Sequence, residues 1–230
     1  MSTLPPEAVT IQSMFGRVAE RYDVLNLVLS GGNDLYWRWQ LTRAVRAQHP
    51  GRVLDLATGS GDVFRALQRG KAYTHSCLGA DFCLPMLQVA QKKGIGPLCV
   101  ADGLRLPFGE QRFDALTIAF GLRNLVDRAA GLREMRRVLA PGGCVYILEF
   151  SHPVWPVNRP YFWYLRHILP TIAGWFGSEC AAYDYLGTSI EAFPKQEKLA
   201  DMMREAGFES VHYQNLTLGI AALHVGQIPR

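Results

Sequence analysis

Val53-Leu54-Asp55-Leu56-Ala57-Thr58-Gly59-Ser60-Gly61-Asp62 is the stretch on which the fold turns. Its first four residues read as a buried strand, with Asp55 interrupting the apolar run. Gly59 and Gly61 then allow a tight turn, and Val63-Phe64-Arg65-Ala66-Leu67 begins a helical pattern. A strand feeding a glycine turn feeding a helix is how open α/β sheets hold a nucleotide-like ligand. A dinucleotide fingerprint wants a third glycine three residues after the second, and Phe64 stands there. An aromatic wedge at that point sets the helix farther from the strand. The turn therefore argues against a dinucleotide dehydrogenase and for a smaller adenosyl ligand.

Outward from the turn, strand signals fall at 52–57, 76–81, 98–101, 115–119 and 144–149. Helical segments separate them at 62–69, 84–93 and 127–139, and Pro141-Gly142-Gly143 reads as a stop before the fifth strand. Alternation of this kind predicts α/β architecture with a doubly wound sheet. Residues 195–206 are helical again, and 207–213 and 218–225 close the sheet as a hairpin. The expectation is a seven-stranded, mostly parallel, Rossmann-like sheet.

Residues 8–49 read as helical, with Val18, Tyr22, Leu25 and Leu29 on one face. Ser30-Gly31-Gly32-Asn33 breaks the pattern, and Asp34 is the expected N-cap of a second helix. This arm is expected over the carboxyl edge of the sheet. Residues 150–194 are dense in aromatics and read as a cover. They suit an apolar channel, a bilayer surface or ordinary core under a long loop. One domain, 1–230, follows: arm 1–50, ligand-binding core 51–150, cover 151–194, closing helix and hairpin 195–230.

The chain has 230 residues, 49% of them hydrophobic, enough for one sizeable core. A net charge of +4 without long like-charge runs gives no nucleic-acid face, and Arg133, Arg136 and Arg137 read as a solvated helix face. Five scattered cysteines without a Cys-x-x-Cys pair suggest reduced thiols in the cytoplasm and no metal site. The N-terminus has no signal-peptide pattern, and no apolar run approaches the roughly 18 residues of a membrane span.

Asp81 ends the second strand, 20 residues after Gly61, with Phe82 beside it. It can accept from both hydroxyls of a ribose, cap the next helix, or do both. Asp102, next to Gly103, can accept from an adenine amino group or simply hold a turn. Asp55 is buried within a strand and needs partners, for which backbone donors of the adjacent loops are expected. Ala119 closes the fourth strand and can offer only backbone.

The glycine turn, Asp81, Asp102 and Pro141-Gly142-Gly143 occur in the order of class I S-adenosylmethionine-dependent methyltransferases, which the chain resembles from about residue 50 to its end. Tyr22-Asp23-Val24-Leu25-Asn26, Phe120-Gly121-Leu122-Arg123-Asn124 and Glu149-Phe150-Ser151-His152-Pro153 narrow the likeness. So do Asp201-Met202-Met203-Arg204-Glu205-Ala206-Gly207-Phe208 and the stretch Asn215 to His224. Together they resemble the ubiquinone/menaquinone biosynthesis C-methyltransferases, the UbiE/MenG family. The resemblance implies S-adenosyl-L-methionine as cofactor, contacted by Asp55, Gly59, Ser60, Gly61, Asp81, Phe82, Asp102, Gly103 and Ala119. It implies a polyprenylated quinol as substrate, methylated on a ring carbon. Many members have a histidine where this chain has Asp34.

A sulfonium methyl needs an electron-rich carbon, so the reduced quinol is the expected acceptor. Arg123 is expected to stabilise a ring phenolate. Asn124 would bind the same oxygen or hold the arginine. Tyr22 is expected as a wall of the site or as arm packing. Asp34, His152 or a water on Asn124 would take the ring proton, although His152 also reads as a structural turn histidine. Peripheral contact with a membrane and a homodimer are compatible with this reading. Two other readings remain: a methyltransferase for another small molecule, and a non-catalytic subunit of a quinone assembly.

Overall fold

A computed structural model describes residues 6–19, 27, 30–69, 76–168 and 180–230. The arm supplies α1 (Pro6–Val18) and α2 (Asn33–Ala47). The core runs β1 (Arg52–Leu56), α3 (Asp62–Gln68), β2 (Ser76–Asp81), α4 (Leu84–Lys92), β3 (Leu98–Val100) and β4 (Phe113–Ala119). A 3₁₀ turn at Leu122–Asn124 leads to α5 (Arg128–Val138) and β5 (Leu139–Phe150). The cover contributes α6 (Asn158–His167) and α7 (Cys180–Glu191). The chain closes with α8 (Gln196–Glu205), β6 (Glu209–Leu216), a 3₁₀ turn at Thr217–Gly219 and β7 (Ala221–Gln227).

The seven strands lie in the order β3-β2-β1-β4-β5-β7-β6. The first five pair in parallel, and β7 is antiparallel to both β5 and β6. The chain moves outward from β1 to β3 and then returns to β4 beside β1. That reversal opens a crevice at the carboxyl ends of β1 and β4, where such sheets bind ligands.

Alternate strand residues face opposite sides of the sheet. Leu54, Leu56, Leu116, Ile118 and Ile147 pack under α5 and α8, against Leu132, Met135, Leu199 and Met203. Val53, Ala115, Tyr146 and Leu148 face the other way, onto Trp37, Leu41 and Val45 of α2 and Phe64 and Leu67 of α3. Phe64 is fully buried, so the position a dinucleotide site gives to glycine is core here. Each such large apolar side chain contributes about 1.5–3 kcal/mol by leaving water.

Two local expectations are corrected. The N-cap of α2 is Gly32, at φ 81°, and Asp34 lies inside the first turn. Asp34 is instead drawn into a buried pair with Arg38 one turn on (3.0 Å). Pro141-Gly142-Gly143 does not end the strand pattern. β5 runs through it, because Gly142 takes φ 76° and the register with β4 shifts between Phe113 and Ala115. The arm is split between two places. Gln12 of α1 donates to the Phe82 carbonyl at the carboxyl edge (2.7 Å), while α2 covers a sheet face.

Candidate active site

A crevice open on one side lies at the carboxyl tips of β1, β2 and β4, and the space between its walls, counted with the solvent at its mouth, is about 910 Å³. Its floor carries two buried carboxylates. Asp55 accepts from the Thr58 and Thr117 hydroxyls, each at 2.6 Å. Burial pushes its carboxyl up to about 6, and the two hydroxyls only partly oppose this. The expected loop N–H donors are thus mainly replaced by threonine hydroxyls, which the sequence did not single out. Asp81 accepts from the Gly59 N–H and the Cys83 N–H, both at 2.8 Å. Burial raises its carboxyl too, against the pull of those N–H groups.

Gly59, Ser60, Phe82, Gly103 and Ala119 line the crevice with the two acids. Gly61 lies outside the lining. It shapes the turn at φ 86°, and a Cβ there would meet Ile95 at 2.8 Å. Asp102 also lies outside the lining, and its Oδ1 accepts from the Leu104 N–H at 2.9 Å. It holds a turn that presents Gly103.

The other wall is the loop after β4. Phe120 adopts φ 55°, and Gly121 passes so close to Ala57 that a Cβ would lie 2.5 Å from it. Asn124 and Leu125 line the crevice here. Arg123 does not. Its Nη1 donates to Glu149 Oε1 at 2.6 Å and to the Phe120 carbonyl at 2.7 Å, while its guanidinium lies over the Phe150 ring. Both charged side chains are buried. The guanidinium that was expected at a ring oxygen thus faces Glu149, the Phe120 carbonyl and Phe150 in this structure. Tyr185 of α7 donates its hydroxyl to Asn124 Oδ1 at 3.0 Å, joining cover to crevice.

The remaining expected residues lie elsewhere. Asp34 is outside the lining, accepting from Ser30 as well as Arg38. His152 Nε2 is 2.9 Å from the Phe193 carbonyl, within the cover. Tyr22 lies outside the described residues. Sequence reasoning missed Arg38, Thr117, Glu149 and Tyr185. Arg38 reaches the crevice from α2, between Asp34 and Asp62. Its signal was the acid four residues earlier on the helix. For Glu149 and Thr117 the signal was a polar residue inside an apolar strand.

An adenosyl sulfonium fits these walls. Val63, Met86 and Leu125 offer apolar surface, the glycine turn leaves room for close approach, and the buried acids favour a cation. Among the described residues no group of three His, Cys, Asp or Glu could hold a metal.

The family model described as "ubiE/COQ5 methyltransferase family" matches residues 5–228. A demethylmenaquinone methyltransferase of Corynebacterium urealyticum is 45% identical over 229 residues, covering 99% of this chain and 98% of the relative. A ubiquinone/menaquinone biosynthesis C-methyltransferase UbiE of Geotalea daltonii is 40% identical over 235 residues, covering 99% and 100%. Among solved structures, an S-adenosylmethionine-dependent methyltransferase of Thermotoga maritima superposes with a TM-score of 0.67 at 18% identity, over 94% of this chain and 98% of that one. This last likeness concerns the fold.

Proposed function

The chain belongs to the ubiE/COQ5 methyltransferase family and is an S-adenosylmethionine-dependent methyltransferase; we propose that it methylates a ring carbon of a prenylated naphthoquinol. The naphthoquinol is favoured because the 45% relative is a demethylmenaquinone methyltransferase. The observation that carries the reading is the join of an acid-floored crevice to Asn124, itself held by Tyr185 beneath an aromatic cover.

S-adenosylmethionine, when bound, supplies a methyl carried on a sulfonium, an electrophile. Asp81 would accept from the ribose hydroxyls while keeping its two backbone donors, since a carboxylate has about four acceptor sites. The Asp55 carboxylate lowers the cost of a cation in the crevice. Gly103 and Ala119, which line the crevice, would hold the adenosine through their backbone. Across the crevice the Asn124 amide orients a ring oxygen of the quinol, and Tyr185 fixes the rotamer of that amide. Arg123 acts as a positioning residue: with Glu149 it sets the Phe120–Asn124 loop. Alignment of donor and acceptor supplies about 7–11 kcal/mol in well-oriented systems.

The ring carbon gains the methyl and loses its hydrogen as a proton. Asp34 and His152 lie outside the crevice lining, which leaves a water on Asn124 as the expected carrier of that proton. Purified protein with methyl-labelled S-adenosylmethionine and chemically reduced demethylmenaquinol is expected to yield a product one methyl heavier, and none from the oxidised quinone. Transfer only to a benzoquinol, or to neither ring, would overturn the substrate assignment.

A further inference from the structure

The two acids on the crevice floor are held by different kinds of donor. Asp81 meets the N–H groups of Gly59 and Cys83. An N–H can only donate, so that setting favours the ionised form. Asp55 meets a hydroxyl at each oxygen, Thr117 at Oδ1 and Thr58 at Oδ2, with the Phe64 N–H as a lesser third donor. A hydroxyl both donates and accepts. Whichever oxygen of Asp55 takes a proton, the threonine beside it can turn and accept from it. The same cage therefore serves either charge state.

Three strands build this cage. Asp55 of β1 stands in register with Gly79 of β2 and Thr117 of β4. A Cβ at Gly79 would lie 3.1 Å from Thr58 Cγ2, so the glycine makes the room that Thr58 fills. Asp55 and both threonines are buried. Among the described residues no basic side chain pairs with Asp55, and the charge that acts on it is the like charge of Asp81. Cys77 of β2 also feels Asp55, but burial pushes that thiol up and keeps it neutral. Arg38, Asp62 and Cys83 complete the titratable lining, and Arg38 is already engaged by Asp34 and Asp62. Without a counter-charge, burial raises the Asp55 carboxyl to about 6. A cation in the crevice would supply that counter-charge.

Methyl transfer removes such a cation. The S–CH₃ bond breaks and its electron pair stays on sulfur, a C–CH₃ bond forms, and the acceptor carbon releases its hydrogen as a proton. A sulfonium has become a neutral thioether. We infer that Asp55 reads this change: it is ionised while the crevice holds the sulfonium and takes a proton from solvent once the thioether remains. The site thus separates fresh from spent cofactor by charge, beyond any difference in shape. This rests on the cofactor and not on the quinol assignment.

The test uses the full chain with S-adenosylmethionine or S-adenosylhomocysteine and no acceptor. By calorimetry, affinity for the sulfonium relative to the thioether is expected to rise about fivefold from about pH 5 to about pH 7. Buffers of different ionisation enthalpy are expected to show protons released when the sulfonium binds and not when the thioether does. Asp55→Asn is expected to abolish the rise. Thr117→Val takes one donor from the ionised form and is expected to move the rise to higher pH. In the unmodified protein at about pH 6, the infrared C=O stretch of a protonated carboxyl is expected to be stronger with the thioether than with the sulfonium, a reading that needs no variant to fold. A ratio indifferent to pH, a rise that survives Asp55→Asn, or the same carboxyl band with both ligands would overturn the proposal. Failure of methyl transfer to demethylmenaquinol would count against the quinol assignment and leave these results standing.

Discussion

Charge is buried in opposite ways at the two ends of this site. On the floor of the crevice, Asp55 is held by two threonine hydroxyls and Asp81 by backbone N–H groups. Under the cover, Arg123 and Glu149 form a buried ion pair at 2.6 Å. The first arrangement leaves a carboxyl that still titrates near neutrality and can answer a cationic ligand. The second locks charge away and spends it on loop geometry. The crevice floor is thus electrostatically open, and the side under the cover is electrostatically closed.

The largest expected effect comes from unbalancing the closed end. Glu149→Ala removes the main counter-charge of buried Arg123 and is expected to cost about 3–5 kcal/mol in urea unfolding. Replacing both partners, Arg123→Met with Glu149→Leu, is expected to restore most of that stability but not turnover. A single variant as stable as the unmodified protein would show that the pair does not carry the loop.

At the open end the sign reverses. Burial raises Asp55 from 3.8 to about 6, so the folded state holds this proton more tightly than the unfolded chain. Its contribution to stability is greatest below 3.8 and is lost as pH climbs through 6. His224 opposes it: burial lowers its imidazole from 6.5 to about 4. The stability it contributes is full above 6.5 and is lost as pH falls toward 4. Asp55→Asn is expected to raise stability at about pH 8 by roughly 2–3 kcal/mol and to uncover the His224 slope in melts taken down to about pH 4. An unchanged pH profile would mean that Asp55 is as well solvated as a surface acid.

Asp81→Ala is expected to weaken S-adenosylhomocysteine binding about 10- to 100-fold by calorimetry, the loss of charged hydrogen bonds and of the loop they hold. Unchanged affinity would remove Asp81 from the cofactor site. The smallest effect belongs to the link between the two ends. Tyr185→Phe deletes one hydrogen bond to Asn124, worth about 1 kcal/mol, so kcat is expected to fall about fivefold with cofactor affinity unchanged.

How much of this could be read in advance follows the same division. β1, the glycine turn and α3 are contiguous, so strand, turn and helix announce themselves within Val53–Leu67. The closing hairpin was legible for the same reason. Pro141-Gly142-Gly143 misled, because a positive φ and a register shift let a strand absorb residues that elsewhere stop one. Asp34 misled because two glycines before it already turned the chain. The cover end was barely legible. Arg123 meets Glu149 across 26 residues and Asn124 meets Tyr185 across 61, and no local pattern encodes such meetings. Arg123 was noticed as chemistry, but its partner, which decides what that charge can do, was not.

One carboxylate grips both the Gly59 loop and the Cys83 loop. The spacing between the first two strand tips is therefore preset like the jaws of a gauge before any guest arrives. Loading then requires little backbone reordering, so association is expected to be fast, and discrimination among nucleosides to reside in dissociation.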